Sequence, residues 1–224
     1  FNRIATEKYY DSDTDLISDI VAAYGAFIQD LYDAGCRNLQ LDDCTWGMMA
    51  DRSGHLAYGV SQEGLLDIQK THKDINNQVI ANAPKDLIIN THVCRGNFHS
   101  TYANSGAYDP VADVLFGQEN VNAYYLEFDD ERSGGFEPLA KVSDDKKVVL
   151  GLVTTKSPKL ENKEEVIARI HEAEKYVPLN RLYLSPQCGF ASCEIGNKLT
   201  EEQQWSKLKL VKEIAQEVWP KNVE

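Results

Sequence analysis

The chain reads as an α/β protein made of the C-terminal five or so βα units of a (β/α)8 barrel. Three observations predict this. Short apolar runs alternate with amphipathic stretches along all 224 residues, the pattern of strands each followed by a helix or a loop and short helix. Five such strands can be counted, whereas a closed barrel needs eight and usually ~250 residues. No G-x-G-x-x-G follows any of them, which weighs against a complete open doubly wound sheet, the alternative for five strands. A pattern that begins on a helix therefore implies that the earlier barrel strands lie outside this sequence.

The elements follow in order. Residues 15–34 carry Leu16, Ile20, Val21, Tyr24, Phe27, Ile28 and Leu31 at helical spacing, and Asn38-Leu39-Gln40-Leu41-Asp42 is the first strand. Residues 63–80 are helical in pattern, and Pro84 stops that helix. Leu87-Ile88-Ile89-Asn90 is a buried strand running into Thr91-His92-Val93-Cys94. A short helix around 111–115 leads to the strand Ala123-Tyr124-Tyr125-Leu126, which ends at Glu127-Phe128-Asp129-Asp130. Residues 147–153 form the clearest strand, and residues 163–174 a helix with Asn162 as N-cap. Leu182-Tyr183-Leu184 ends in Ser185-Pro186-Gln187-Cys188-Gly189. The closing helix runs to about residue 218, with Thr200 as N-cap and Gln203 at the capping-box position.

Composition removes several function classes. With 42% hydrophobic residues and a mean hydropathy of -0.43, the chain is long enough for one sizeable core. No apolar run approaches the ~20 residues that span a bilayer. Phe1-Asn2-Arg3-Ile4 carries no initiator Met and no signal-peptide core. The charge balance of 23 basic to 35 acidic residues, net -12, argues against nucleic acid and anionic membrane as partners. Five cysteines, an odd number, do not make a disulfide framework. A reduced, cytoplasmic compartment with thiols free for metal is the expectation.

Three predicted strands deliver a soft or anionic ligand at their C-terminal ends, and in a parallel α/β protein those ends converge on one face. His92, Cys94, Glu127 and Cys188 together supply one nitrogen, two sulfurs and one oxygen, a set that suits tetrahedral zinc. The ligands lie tens of residues apart, unlike those of a structural zinc finger, which points to a catalytic centre with an exchangeable position. His92 and Cys94, two apart, face one side of a regular strand; taken alone, the pair is equally readable as core packing. Asp129, Asp130 and Glu131 stay open as alternatives to Glu127, Cys193 as an alternative to Cys188, and His99 as an alternative to His92. Asp42 and Asp43 end the first strand on the same face, where a carboxylate can hold a substrate ammonium or simply close a turn. Cys36 reads as core, Cys44 as a pocket residue, and His55, His72 and His171 as surface or helix residues.

Thr91-His92-Val93-Cys94, Leu126-Glu127, Lys156-Ser157-Pro158 and Ser185-Pro186-Gln187-Cys188-Gly189 resemble the C-terminal catalytic domain of cobalamin-independent methionine synthase. Its short single-domain relatives are closer still, in Leu41-Asp42-Asp43 and in residues 129–134. The resemblance runs from about Asn38 to the final helix. It implies a (β/α)8 barrel of the methionine synthase type, with residues 1–224 the C-terminal part of one catalytic domain. It implies zinc held by His92, Cys94, Glu127 and Cys188, with Asp42 on the amino group of homocysteine and Ser157 lining the same pocket. The implied reaction moves a methyl group from a methylated folate or another donor to the homocysteine thiol, forming methionine. Two departures stand out. Asp42-Asp43-Cys44 replaces the family's Asp-Glu-Pro, and Lys156 occupies the place of a histidine linked to proton delivery, making it a candidate catalytic residue. Five strands without their barrel partners leave an open edge, through which self-association is expected.

Overall fold

The computed structural model describes residues 5–51 and 53–220. Phe1-Asn2-Arg3-Ile4 lies outside the described residues, as does the side chain of His55. The elements are α1 (Asp13–Asp33), β1 (Asn38–Asp42), α2 (Cys44–Ala50), α3 (Gly54–Ala57), α4 (Gln62–Ala81), β2 (Ile88–Val93), α5 (Asp109–Gln118), β3 (Ala123–Glu127), β4 (Lys147–Val153), α6 (Lys163–Ala173), β5 (Leu182–Pro186) and α7 (Glu201–Val218). Single 3-10 turns at Glu131–Ser133, Glu137–Lys141 and Leu179–Arg181 complete the description.

Local chemistry sets the helix starts. The Ser12 hydroxyl accepts the Asp15 N–H at α1, Ser61 accepts from Gly64 at α4, and Asn162 accepts from Glu165 at α6. At α7, Thr200 and Gln203 form the full reciprocal capping box. Each cap satisfies a backbone donor that has no partner inside the helix.

All five strands are parallel and lie in the order β1-β2-β3-β4-β5. A doubly wound sheet reverses its strand order at a switch point; this sheet never does. Right-handed crossovers that always step the same way place their helices on one face, as around a barrel. The five-stranded sheet is thus an arc of barrel type, and among the described residues β1 and β5 each have a free outer edge.

The helix-facing side holds the main core, including Val93, Leu115, Tyr124, Leu126, Leu150, Ile170, Leu182 and Ile214. A smaller cluster of Val21, Ile28, Ile75, Val79, Leu87 and Ile89 packs α1 and α4 onto β1 and β2. Cys36, expected in the core, is only partly buried at the rim of this second cluster, because the chain turns there between α1 and the edge strand. On the opposite, concave side, Asn38, Gln40 and Asp42 are exposed, as are Ile88 and Tyr183.

Two glycines shape the ligand-bearing end of the sheet. A Cβ on Gly151 would lie 2.7 Å from both Gln187 Cα and Leu126 O, so its absence lets the end of β5 close over β4 and β3. A Cβ on Gly47 would collide with Cys94 O, so α2 presses directly on the chain just past β2. Neither α2 nor α3, which fill the excursion from Asp43 to Val60, has a separate signal in the apolar pattern.

Candidate metal centre

Register brings the predicted ligands together. Asp42 pairs with His92, His92 with Tyr125, and Val93 with Leu126, so Cys94, one residue further, comes level with Glu127. Glu127 pairs with Gly151, and Gly151 with Ser185, which directs the chain after β5 towards the same place. The ligand atoms of His92, Cys94, Glu127 and Cys188 all lie within 4.8 Å of one another. Cys94 Sγ and Cys188 Sγ are 4.0 Å apart. Two thiolates on one tetrahedral zinc at ~2.3 Å would sit roughly 3.8 Å apart, so the spacing fits.

The surroundings orient each donor. His92 Nδ1 is 3.2 Å from the carbonyl of Tyr125. That contact assigns the ring proton to Nδ1 and leaves Nε2 as a lone-pair donor, the arrangement usual behind a metal-bound imidazole. Nε2 is buried and has no hydrogen-bond partner. A buried, unpartnered nitrogen beside two sulfurs and a carboxylate is costly unless a cation fills the gap.

Glu127 is fully buried. Its Oε1 accepts the Arg95 backbone N–H at 2.9 Å, and its Oε2 accepts from Arg132 Nη2 at 2.7 Å. Arg132 also binds Asp129 at 2.8 Å and pairs with Asp130. These partners separate the alternatives: Glu127 turns into the cluster, while Asp129 and Asp130 hold its guanidinium anchor. Tyr108, stacked under the Arg95 guanidinium, accepts the Glu127 N–H at 3.1 Å.

The two thiols share a proton unequally. A hydrogen bond with Cys188, and then burial, raises the Cys94 thiol well above its ordinary value. The same hydrogen bond lowers Cys188, against the opposing effect of burial. Burial favours a neutral His92, but Cys94 and Glu127 beside it outweigh that and raise its pKa.

Asp42 faces the same hollow. A cavity of about 390 Å³ is lined by Gln40, Asp42, His92, Tyr125, Gln187 and Cys188, among others. Lys156 has its ammonium 3.9 Å from Glu127 Oε2, buried and without a hydrogen-bond partner. Ser157 lines a different hollow, with Asp129, Glu161 and Arg169. His99 contacts the Gly196 carbonyl at 3.3 Å and lies outside the ligand group, as does Cys193.

Sequence reading missed several residues. His72 lies in helix α4, as its pattern predicts, and its pairing with Asp43 at 2.7 Å is what the sequence does not show. Asn76 then joins Asp43, at 2.9 Å, to the buried Glu119, at 2.6 Å. His72, Asn76 and Glu119 lie tens of residues from Asp43, so no local motif announces them. Arg132, three residues past Asp129, was visible in the acidic stretch but its target was not.

Comparison with known proteins agrees with this geometry. Residues 7–217 match the family model described as the catalytic domain of cobalamin-independent synthase. The uncharacterised Bacillus subtilis protein YxjG is 50% identical over 215 residues, covering 94% of this chain and 56% of that protein. YxjH of the same organism is 48% identical over 223 residues, covering 98% of this chain and 58% of its own length. Among solved structures, a vitamin-B12-independent methionine synthase candidate from Listeria monocytogenes superposes with a TM-score of 0.74 at 39% identity, over 95% of this chain and 57% of that one. A B12-independent methionine synthase from Shewanella shares the fold, with a TM-score of 0.70 at 20% identity, over 94% of this chain and 56% of that one. The chain spans a little over half the length of these relatives. By its sequence and its fold, this chain belongs to the cobalamin-independent methionine synthase catalytic-domain family.

Proposed function

We propose that the chain forms the C-terminal part of a (β/α)8 methyltransferase barrel that holds zinc through His92, Cys94, Glu127 and Cys188 and methylates the thiol of homocysteine to methionine. One observation carries the reading: four ligand atoms of tetrahedral type converge within 4.8 Å, and the histidine nitrogen among them has no other partner. Zinc, when bound, would keep the substrate sulfur as a thiolate at neutral pH, where a free thiol with pKa near ~8.5 is mostly protonated.

The chain's own residues do the rest. Asp42 offers a carboxylate to the substrate ammonium, at the rim of the cavity that His92 and Cys188 line. The backbone of Arg95 and the side chain of Arg132 fix the Glu127 carboxylate, so the donor set is organised before substrate arrives. Held in line, the substrate sulfur forms its bond to the methyl carbon as the methyl–donor bond breaks. The donor leaves with that electron pair and takes up a proton. Lys156, whose buried ammonium lies beside Glu127, would donate a hydrogen bond to the departing group.

A methylated folate is the donor we assign first. The 5-methyltetrahydropteroyltriglutamate–homocysteine methyltransferase of Halalkalibacterium halodurans, 23% identical over 204 residues, is named for it. Lys156 in place of the family histidine favours a second reading, in which the donor is not a folate or the acceptor is another small thiol. Among the described residues β1 and β5 each leave an outer edge free, and self-association through such an edge is the expected outcome. No helix among the described residues is long and apolar enough to cross a membrane, and a reducing cytoplasm would keep the paired thiols available.

The test is Asp42→Asn in the full-length protein. Homocysteine affinity should fall by roughly tenfold to a hundredfold, with zinc retained and a thiol lacking the amino group unaffected. Equal loss for both thiols would make Asp42 a structural residue; no loss for homocysteine would favour a substrate that is not an amino acid. Ser157→Ala, measured alongside, decides whether that residue reaches the substrate from its separate hollow.

A further inference from the structure

We propose that Asn97 and Asn197 form an amide clasp that positions Cys188 against Cys94 and so sets the metal affinity of the site. The inference rests on the metal reading above, and it concerns residues that contact neither metal nor substrate. Cys94 lies just past β2, whereas Cys188 lies in the loop after β5, where no strand pairing holds it. The Gln187 N–H, donating to Val153 O at 2.8 Å, ties the start of that loop to β4; side chains must fix its further course, because the two sulfurs sit 4.0 Å apart.

Asn97, three residues past Cys94, is buried and reaches across to the second loop. Its Nδ2 donates to Gly189 O at 2.7 Å, next to Cys188, and to Ser192 Oγ at 3.1 Å. Asn197 completes the tie. Its Nδ2 donates to Asn97 Oδ1 at 2.8 Å and to Thr155 O at 2.9 Å, and its Oδ1 accepts the Ser100 N–H at 2.8 Å. Two side-chain amides thus join the loops after β2, β4 and β5, using both donors and the acceptor of each. Thr155 adds a second tie, donating through its N–H and hydroxyl to Gln187 Oε1 at 2.7 and 2.9 Å.

A separate observation marks the same place. His99 and Ser100 have φ of 45° and 65°, the positive-φ residues other than glycine among those described. Such backbone is retained where surrounding structure over-determines it, and here it aims the Ser100 N–H at Asn197 and brings His99 to the Gly196 carbonyl. Outer-shell partners that orient metal ligands are expected to change affinity by about tenfold to a hundredfold when removed.

The experiment uses full-length protein loaded with cobalt as a spectroscopic stand-in for zinc. Asn97→Asp sets a carboxylate oxygen against Gly189 O, and Asn197→Asp does the same against Thr155 O and Asn97 while keeping the acceptor for Ser100. Each variant should bind cobalt about tenfold to a hundredfold more weakly by chelator competition, with a diminished sulfur-to-cobalt charge-transfer band and unchanged far-UV circular dichroism. Val79→Ala, a core truncation in the α1–α4 cluster, serves as the control for general loss of stability. Affinity within about twofold of wild type, or a loss no larger than in Val79→Ala, overturns the clasp. If Asn97→Asp does not fold, Asn197→Asp decides on the same criteria. Wild-type protein that takes up no cobalt overturns the metal reading and the clasp with it, whereas tight binding by wild type and variants alike overturns the clasp alone.

Discussion

Two polar clusters in this fold, one at the ends of β2, β3 and β5 and one between β1, α4 and the end of α5, resolve burial in opposite ways. The first is His92, Cys94, Glu127 and Cys188, where lone pairs converge and the His92 Nε2 has no donor facing it. The second is Asp43, His72, Asn76 and Glu119, where a 2.7 Å ion pair and two amide hydrogen bonds satisfy most of the acceptors. What remains in the second is one oxygen of Glu119, unpartnered, and burial pushes that carboxyl up to about 7. A single proton completes the second cluster; the first, with two sulfurs and a carboxylate already anchored by Arg132, calls for a cation of higher charge. Buried polar groups therefore signal a ligand when their acceptors converge without donors between them.

The largest effect should come from removing a sulfur of the first cluster. Cys94→Ser or Cys188→Ser is expected to weaken metal binding by on the order of a thousandfold or more, since the thiolates are the strongest ligands in the set. Cys36→Ser, Cys193→Ser and His72→Ala should leave metal content unchanged in elemental analysis. A metal lost with Cys193 and kept without Cys188 would move the third ligand and break the comparison.

Next is Arg132, whose guanidinium is shared by Glu127 and Asp129, both almost wholly buried. Arg132→Met leaves those carboxylates without their cation and should cost about 3 kcal/mol in chemical denaturation of the metal-free protein. Saturating metal should recover part of this, because an added cation takes over some of the lost neutralisation. A variant as stable as wild type in both states would show that Arg132 does not anchor Glu127.

The smallest effect separates the second cluster by its response to pH. Because the folded pKa of Glu119 lies above its unfolded value, its contribution is fully present below about 4.5 and is lost as pH rises through about 7. His72 acts in the same direction, since its pKa is also raised: burial opposes this, and Asp43 outweighs burial. Asp43 works the other way at acid pH, where its lowered pKa means stability lost as pH falls through the folded value; there too burial opposes, and His72 outweighs it. Glu119→Gln should therefore flatten the decline in stability between about pH 5 and pH 8, a difference on the order of 2–3 kcal/mol. Melting curves of equal slope against pH for both proteins would show that Glu119 is charged throughout.

The sequence by itself determined the order and type of the long elements. Apolar periodicity marked α1, α4, α6 and the five strands, and the caps at Asn162 and Thr200 are local events that neighbouring residues decide. It also showed that candidate donors end several parallel strands and so must share a face, with Asp129, Asp130, Glu131, Cys193 and His99 left open beside His92, Cys94, Glu127 and Cys188. Only the tertiary structure decided which acid near β3 turns inward, because the choice between Glu127 and Asp129 depends on the Arg132 and Arg95 groups that reach them. It decided the partners of His72, the short helices α2 and α3, and the separation of Ser157 from the hollow that Asp42 lines. It decided the Asn97–Asn197 tie as well, which joins residues 100 positions apart. Hydrophobic pattern and capping act over one or two turns of chain and can be read along it. Buried hydrogen bonds and ion pairs join residues that only folding brings within 3 Å or so, and nothing in the spacing of an isolated Asn, Arg or His records its partner.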